Sequence, residues 1–236
     1  MTIDLKYPTS WESVTREHLL ILGKLMLKTL TREEMLFELL CRIADLRPLI
    51  KPGIDENTPE AEFLFRKKRG ERFWMPAWMV RQASEELSFI VDTVGLPECP
   101  ILSVNSKIHG VTFKEFYFAD AYLSRYQDTK DIAMISNMYK ELTGKKMKSI
   151  APEEINAITI WWCGVKDYLK NHYPEVLRDS DEPTPDKTPA EILLEILSVL
   201  NKNEPGKNQE ILSSEVHAVM HSLNNIYLIA RKNDNK

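Results

Sequence analysis

The sequence contains few cysteines, few glycines and no long apolar run, and each of these shortages excludes a class of protein. Its three cysteines are odd in number and far apart, with no CxxC pair, which argues against a disulfide framework or a structural zinc site. Charged residues interrupt every apolar stretch before it reaches about 18 residues, the length that a membrane span needs. The N-terminal residues lack the pattern of a signal peptide. We therefore expect a protein of the cytoplasm, the host cytoplasm if it is phage-encoded, with reduced thiols.

The motifs of common catalytic and cofactor sites are also missing. The 8 glycines never approach the spacings GxxxxGK[ST] or GxGxxG, and neither GxSxG nor Glu-x-x-His occurs. His217 and His221 lie four residues apart on one helix face, but Ala218 stands where a zinc-protease helix needs glutamate. The sequence thus predicts no catalytic residue, no metal and no cofactor. An enzyme whose site is assembled only by the fold ranks third among the functional hypotheses.

The formal net charge of −4 and a pI near 5.8 give the chain no overall attraction to nucleic acid or to an anionic membrane. Any basic contact must be local. One basic segment has aromatic neighbours at Phe65, Phe73 and Trp74, which favours a hairpin tip that reads nucleic acid or, more simply, a solvated turn whose charges protect a sheet edge. This putative basic patch comprises Arg66, Lys67, Lys68, Arg69 and Arg72.

The composition between the few glycines favours helices. Hydrophobic residues make up 43% and charged residues 28% of the chain, as in ordinary globular proteins. Threonines followed three residues later by glutamate predict capped helix starts at Thr31, Thr112 and Thr188, and Pro152 is suited to open the longest helix. We predict a mainly α fold, a multi-helix domain of orthogonal or bundle-like packing.

One exception to the helical pattern is predicted near residues 63–74, where apolar and aromatic runs flank a charged turn containing Gly70. This pattern is typical of a short β-hairpin. The helix before it is expected to end at Pro48, and residues 47–60 to form an irregular connector. After the hairpin, helical spacing predicts one helix from Pro76 to Gly95.

An acidic, proline-containing segment at residues 178–188 has the composition of a linker. We therefore predict a main domain at residues 1–177 and a C-terminal helical hairpin at residues 189–231. The last helix of that hairpin carries an apolar stripe that must be covered by the main domain, by a second copy in a homo-oligomer or by another protein. Its predicted partner-binding residues are Leu212, Val216, Met220, Leu223 and Tyr227.

Three segments together resemble helical proteins encoded in bacteriophage tail gene clusters beside the tape-measure protein, the tail assembly chaperones. They are the opening residues 7–12 (YPTSWE) with the helix pair that follows, residues 96–100 (LPECP) leading to residues 113–120 (FKEFYFAD), and the closing residues 192–230. The resemblance runs in order through most of the chain. It lies in aromatic and proline patterns that carry no chemistry of their own.

The resemblance implies a non-catalytic, protein-binding role in phage or prophage tail assembly, as a chaperone or structural component. The implied partner is the tape-measure protein or another tail protein, whose apolar helices would be shielded until the tail tube assembles around them. The alternative is a nucleic-acid-associated or regulatory protein that uses the basic turn from Arg66 to Arg72.

Overall fold

The computed structural model describes residues 5–50, 62–67, 70–147, 149–177, 188–202 and 204–234, and the fold is mainly α as predicted. It is 64% helical, with ten α-helices and one small antiparallel sheet in these residues. The helices are α1 (Arg16–Leu25), α2 (Arg32–Ile43), α3 (Ala77–Glu85), α4 (Ser88–Asp92), α5 (Phe113–Thr129), α6 (Ile132–Thr143), α7 (Pro152–His172), α8 (Pro189–Asn201), α9 (Asn208–Ser213) and α10 (Val216–Asp234). The strands are β1 (Leu46–Ile50), β2 (Glu62–Lys67) and β3 (Arg72–Pro76). No helix in these ranges combines the length and the apolar character needed to cross a membrane.

The helix starts follow from capping chemistry that the sequence already shows. The Thr112 hydroxyl accepts from the Glu115 amide at 3.3 Å, and the Glu115 carboxylate accepts from the Thr112 amide at 2.8 Å. The same reciprocal pair joins Thr31 to Glu34 and Thr188 to Glu191. Each box satisfies amides that a helix start leaves without intrahelical partners, so the predicted starts of α2, α5 and α8 are confirmed.

The chain divides into two compact units, of which unit 1 comprises Met1–Pro100 and Ala151–Gly164. It contains α1 to α4, the sheet and the first part of α7. Apolar side chains of the two long helices, of the inner sheet face and of α7 are buried; they include Leu19, Leu22, Leu36, Leu39, Leu40, Phe65, Phe73, Met75, Ile158, Trp161 and Trp162. Phe37 of α2 packs against Phe63 and Phe65 of β2, with ring centroids 5.6 and 6.5 Å apart.

The sheet has the strand order β1-β2-β3 with both pairs antiparallel. The predicted hairpin is present as β2 and β3, in which Phe65 lies opposite Phe73 and Leu64 opposite Trp74. Strand β1 lies where the sequence predicts a helix end and an irregular connector, and the structure corrects that prediction. As an edge strand β1 tolerates Pro48, which has no amide hydrogen to donate, and its register shifts between Pro48 and Ile50.

Unit 2 comprises Ile101–Ile150 and Val165–Lys236, so α7 contributes residues to both units. Within unit 2, α5 packs on α6, α9 and α10. Its buried side chains include Phe113, Phe116, Leu123, Ile135, Met138, Val165, Leu169, Leu197, Val216, Val219, Met220 and Leu223. The predicted boundary at 178–188 falls mainly on residues outside the described ranges, and the division into residues 1–177 and 189–231 stays a prediction.

Two predicted helices are each interrupted. The helix expected from Pro76 to Gly95 breaks at Glu86 and Leu87, where the Leu87 amide donates to the Ser84 carbonyl at 3.0 Å, three residues back instead of four. The tightened turn buries Leu87 completely.

The last predicted helix breaks at Ser214 and Glu215. The Val216 amide donates to the Val111 carbonyl at 3.0 Å, and the Phe113 amide donates to the Ser214 carbonyl at 2.8 Å. These bonds to a distant segment replace helical ones, so the second half of the predicted hairpin is divided into α9 and α10.

Candidate functional site

The outer face of the sheet carries a row of three arginines. Arg47 of β1 lies opposite Arg66 of β2, and Arg66 lies opposite Arg72 of β3. Residues in cross-strand register share one sheet face, and neighbouring strands are about 4.8 Å apart, so three positive charges start from backbone positions spanning about 10 Å. Arg47 and Arg72 are exposed and Arg66 is half-buried. None of the three forms an ion pair with any residue in the described ranges.

An apolar pair adjoins this row on the same face. Leu64 and Trp74 lie opposite each other, two residues along from Arg66 and Arg72, and Trp74 is 51% exposed. We call Arg47, Arg66, Arg72, Leu64 and Trp74 the arginine–tryptophan face. Trp78, in the first turn of α3, is 57% exposed, and four residue steps place its Cα atom no more than about 14 Å from that of Trp74.

A groove of about 600 Å³ borders the arginine row at the end of α2. Four cationic residues and two acidic ones line it, together with Ile21, Cys41, Leu46 and Pro48; the charged residues are Arg42, Arg47, Arg66, Lys67, Glu38 and Asp45. Arg42 forms an ion pair with Glu38 at 3.5 Å. The excess of cations makes the groove suited to carboxylates or other anionic groups.

Only part of the predicted basic patch lies on the arginine–tryptophan face. Arg66 and Arg72 lie in the arginine row, whereas Lys67 points to the opposite sheet face, with its Nζ 5.9 Å from the centroid of the Phe73 ring. Lys68 and Arg69 lie outside the described residues. Sequence reasoning missed Arg47, because only pairing with β2 turns its segment into a strand.

The predicted partner-binding stripe is largely interior. Val216, Met220 and Leu223 are buried in unit 2, while Leu212, on α9, and Tyr227 are half-buried. A contact between these three buried side chains and a partner would require α10 to leave its position, and their role in binding remains a prediction.

A second cluster, unrecognised in the sequence, lies in unit 2 where the segment before α5 meets the start of α10. The ligand-type atoms of His109, Glu215 and His217 all lie within 4.8 Å of one another. His109 Nδ1 is 3.4 Å from Glu215 Oε1, and the two imidazole centroids are 4.5 Å apart. His221, the other member of the predicted pair, is outside this cluster and receives a hydrogen bond from Asn225 on Nε2.

Hydrogen bonds define the orientation of the His217 ring. Its Nε2 lies 2.8 Å from the Lys107 carbonyl, which can only accept, so Nε2 carries the hydrogen. In the neutral ring Nδ1 then holds the lone pair, and the Tyr173 hydroxyl lies 3.1 Å from it. The Gly110 amide, together with His109, lowers the pKa of the Glu215 carboxyl, whereas burial raises the pKa of Tyr173. Glu215 is therefore ionised at neutral pH.

The chain was compared with protein-family models, with curated proteins and with solved structures, and none of them matches it.

Proposed function

We propose that this chain is a non-catalytic, protein-binding protein of phage or prophage tail assembly, and that it holds its partner on the arginine–tryptophan face. One observation carries the choice of surface: three arginines stand in register beside a half-exposed tryptophan and a half-buried leucine. The partner surface that fits this face combines carboxylates with an apolar or aromatic side chain.

The energetics of the free face support a binding role. Like charges directly opposite each other on a sheet destabilise it, and an exposed indole leaves apolar area in water. A partner carboxylate between the guanidinium groups would relieve the repulsion through charge-assisted, bidentate hydrogen bonds. Arginine and tryptophan are also the residue types that contribute most binding energy at protein interfaces.

Nucleic acid is the second candidate, because arginines and an exposed tryptophan could contact phosphates and stack on bases. The charge distribution opposes a long polyanion more strongly than a protein that presents only a few carboxylates. The chain carries a net charge of −4, and the exposed acids Glu62 and Glu71 flank the face within the same hairpin. If three phosphates were contacted, the affinity for a single strand would fall about 100-fold for a tenfold rise in salt. The salt dependence of oligonucleotide binding therefore tests the nucleic-acid alternative.

The tail-assembly setting comes from the resemblance of residues 7–12, 96–100, 113–120 and 192–230 to tail assembly chaperones. In that setting the partner is the tape-measure protein of the same gene cluster, held in the host cytoplasm before the tail tube closes around it. A helix of that protein would present acidic and apolar residues to the face.

The test is co-expression of the full chain with that tape-measure protein, followed by affinity measurement with purified components. Trp74→Ala should weaken binding by about 30-fold or more, the effect expected of an interface hot spot. The double charge reversal Arg66→Glu with Arg72→Glu should abolish it. Leu102→Ala and Arg125→Glu alter exposed residues of unit 2 and serve as matched controls that should leave the affinity unchanged.

Three outcomes would contradict parts of the proposal. Binding that survives both face variants would place the partner elsewhere on the chain. Failure of the unaltered protein to bind the tape-measure protein would remove the tail-assembly setting. Salt-dependent binding of an unstructured oligonucleotide that is lost on the double reversal would establish the nucleic-acid alternative.

A further inference from the structure

We propose that His109, Glu215 and His217 bind a divalent transition-metal ion of the Zn²⁺ class, which fastens the segment before α5 to the start of α10. This inference is independent of the arginine–tryptophan face, since the cluster lies in unit 2 and the face in unit 1. His109 lies 106 positions before Glu215 and 108 positions before His217 in the chain. Local spacing in the sequence therefore does not reveal the cluster.

The ligand types select the metal. Two imidazoles and one carboxylate are a known donor set of Zn²⁺ sites with three protein ligands, in which water completes the tetrahedron, whereas Mg²⁺ and Ca²⁺ prefer oxygen donors alone. With Zn–N bonds of about 2.0–2.1 Å, two ligand atoms of a tetrahedral site lie about 3.4 Å apart. His109 Nδ1 and Glu215 Oε1 are already 3.4 Å apart, and all three ligands lie within 4.8 Å. To close the site, the more distant ligand atoms must approach from at most 4.8 Å to about 3.4 Å, which side-chain torsional changes provide.

The backbone holds the ligand-bearing segments together. Thr112 and Glu215 form an isolated antiparallel bridge, supported by the Val216-to-Val111 and Phe113-to-Ser214 hydrogen bonds. Glu215 is fixed further by the Gly110 amide, which lies 3.3 Å from Oε1. The site is therefore largely organised before any ion arrives, which lowers the entropy lost on binding.

Surrounding groups prepare His217 as a ligand. Its Nε2 hydrogen is held by the Lys107 carbonyl at 2.8 Å, the outer contact that orients ligating histidines in metal proteins. The lone pair on Nδ1 faces the Tyr173 hydroxyl at 3.1 Å, so an ion bound at Nδ1 requires a shift of the Tyr173 side chain. The Nζ atom of Lys107 lies over the Tyr168 ring, 5.5 Å from its centroid. The start of α10 and Lys107 both add positive potential, so the negative charge of Glu215 is essential to the site.

The experiment uses the full-length protein, stripped with chelator, and zinc chloride as the probe at neutral pH. Isothermal titration should show one ion per chain, and magnesium chloride should show none. His109→Ala and Glu215→Gln should each lower zinc affinity by at least about tenfold, since even the loss of an outer contact has that effect. Both substitutions are at exposed positions, and circular dichroism of the stripped variants checks that they fold.

His221→Ala is the matched control, because it removes an exposed imidazole one turn along the same helix and should leave the affinity unchanged. Zinc binding that persists in His109→Ala but disappears in His221→Ala would identify a surface pair at His217 and His221 and overturn the proposal. Absence of saturable zinc binding by the unaltered protein would overturn it equally.

Discussion

At the scale of single residues, close backbone approaches in unit 1 depend on glycines. A Cβ atom at Gly164, in α7, would lie 2.1 Å from the carbonyl oxygen of Gly95. A Cβ atom at Gly95 would in turn lie 2.1 Å from the Trp11 ring. Both distances are well inside van der Waals contact, so the absence of a side chain lets these segments meet.

We predict that Gly164→Ala destabilises the protein although the same change stabilises most helices. The gain in helix propensity is about 1 kcal/mol, whereas overpacking against a backbone carbonyl costs about 1–3 kcal/mol or more. Urea unfolding monitored by circular dichroism measures the difference. Gly206→Ala, where no atom lies within 4 Å and φ is not positive, is the control and should change stability little. A more stable Gly164→Ala protein would refute the close approach.

Tyr7 gives a prediction in the alkaline range. Its hydroxyl donates to Glu86 Oε2 at 2.6 Å, and burial, with the hydrogen bond and charge of Glu86, raises the pKa of Tyr7 to about 12. Because the pKa in the folded protein exceeds the unfolded value of 10.0, protonated Tyr7 stabilises the folded protein. This contribution to the free energy of unfolding is fully present below pH 10 and is lost as the pH rises toward 12.

Tyr7→Phe should therefore cost about 1 kcal/mol at neutral pH, the usual contribution of one hydrogen bond. The difference between the two proteins should shrink through that alkaline window. Titration of tyrosinate absorbance, with the Tyr7→Phe spectrum subtracted, gives the pKa directly. A value near that of free tyrosine would show that the bond to Glu86 does not form.

At the scale of secondary-structure elements, the arginine row that is proposed to bind the partner also lowers the stability of the sheet. Arg66 has an arginine opposite it on each neighbouring strand, and like charges in that position cost stability. We predict that Arg66→Thr stabilises the isolated protein by about 0.5 kcal/mol in urea at low salt.

The gain from Arg66→Thr should disappear in about 1 M salt, where the Debye length is only about 3 Å. The same variant should bind the proposed partner more weakly. Higher stability together with weaker partner binding would show that the arginine row serves binding at a cost in stability. Higher stability with unchanged binding would show that it has no such role. A salt-independent effect of Arg66→Thr would mean that repulsion across the strands is not its cause.

At the scale of the whole molecule, the C-terminal helices belong to the core of unit 2. Val216, Val219, Met220 and Leu223 of α10 are buried, and α10 packs on α5. Truncation after Arg178 would expose the apolar side chains of α5 that these residues cover. We predict that the truncated chain loses cooperative folding of residues 101–150, because each large buried side chain contributes about 1.5–3 kcal/mol.

Hydrogen exchange resolved by segment measures this effect, with residues 16–43 of unit 1 as the internal reference. Fast exchange across α5 and α6 in the truncated protein is the expected result. Unchanged protection there would show instead that the C-terminal helices are an independent docking element, as the acidic segment at residues 178–188 predicts.

The features that the sequence predicts correctly depend on local chemistry. Helix class, the capping boxes at Thr31, Thr112 and Thr188, and the hairpin of β2 and β3 depend on residues within one turn or one strand pair of each other, and all were predictable. Two arginines of the row were recognisable as a basic patch for the same reason.

Tertiary packing determines which residues distant in the sequence come into contact. Strand β1 exists because β2 supplies its hydrogen bonds, and only that pairing adds Arg47 to the arginine row. Backbone bonds between residues 111–113 and 214–216 interrupt the last helix and bring His109 to Glu215 and His217. Packing on α5 turns the apolar stripe of α10 from a surface into core. These contacts join residues far apart in sequence, and their formation depends on the folding of whole units, which no local pattern encodes.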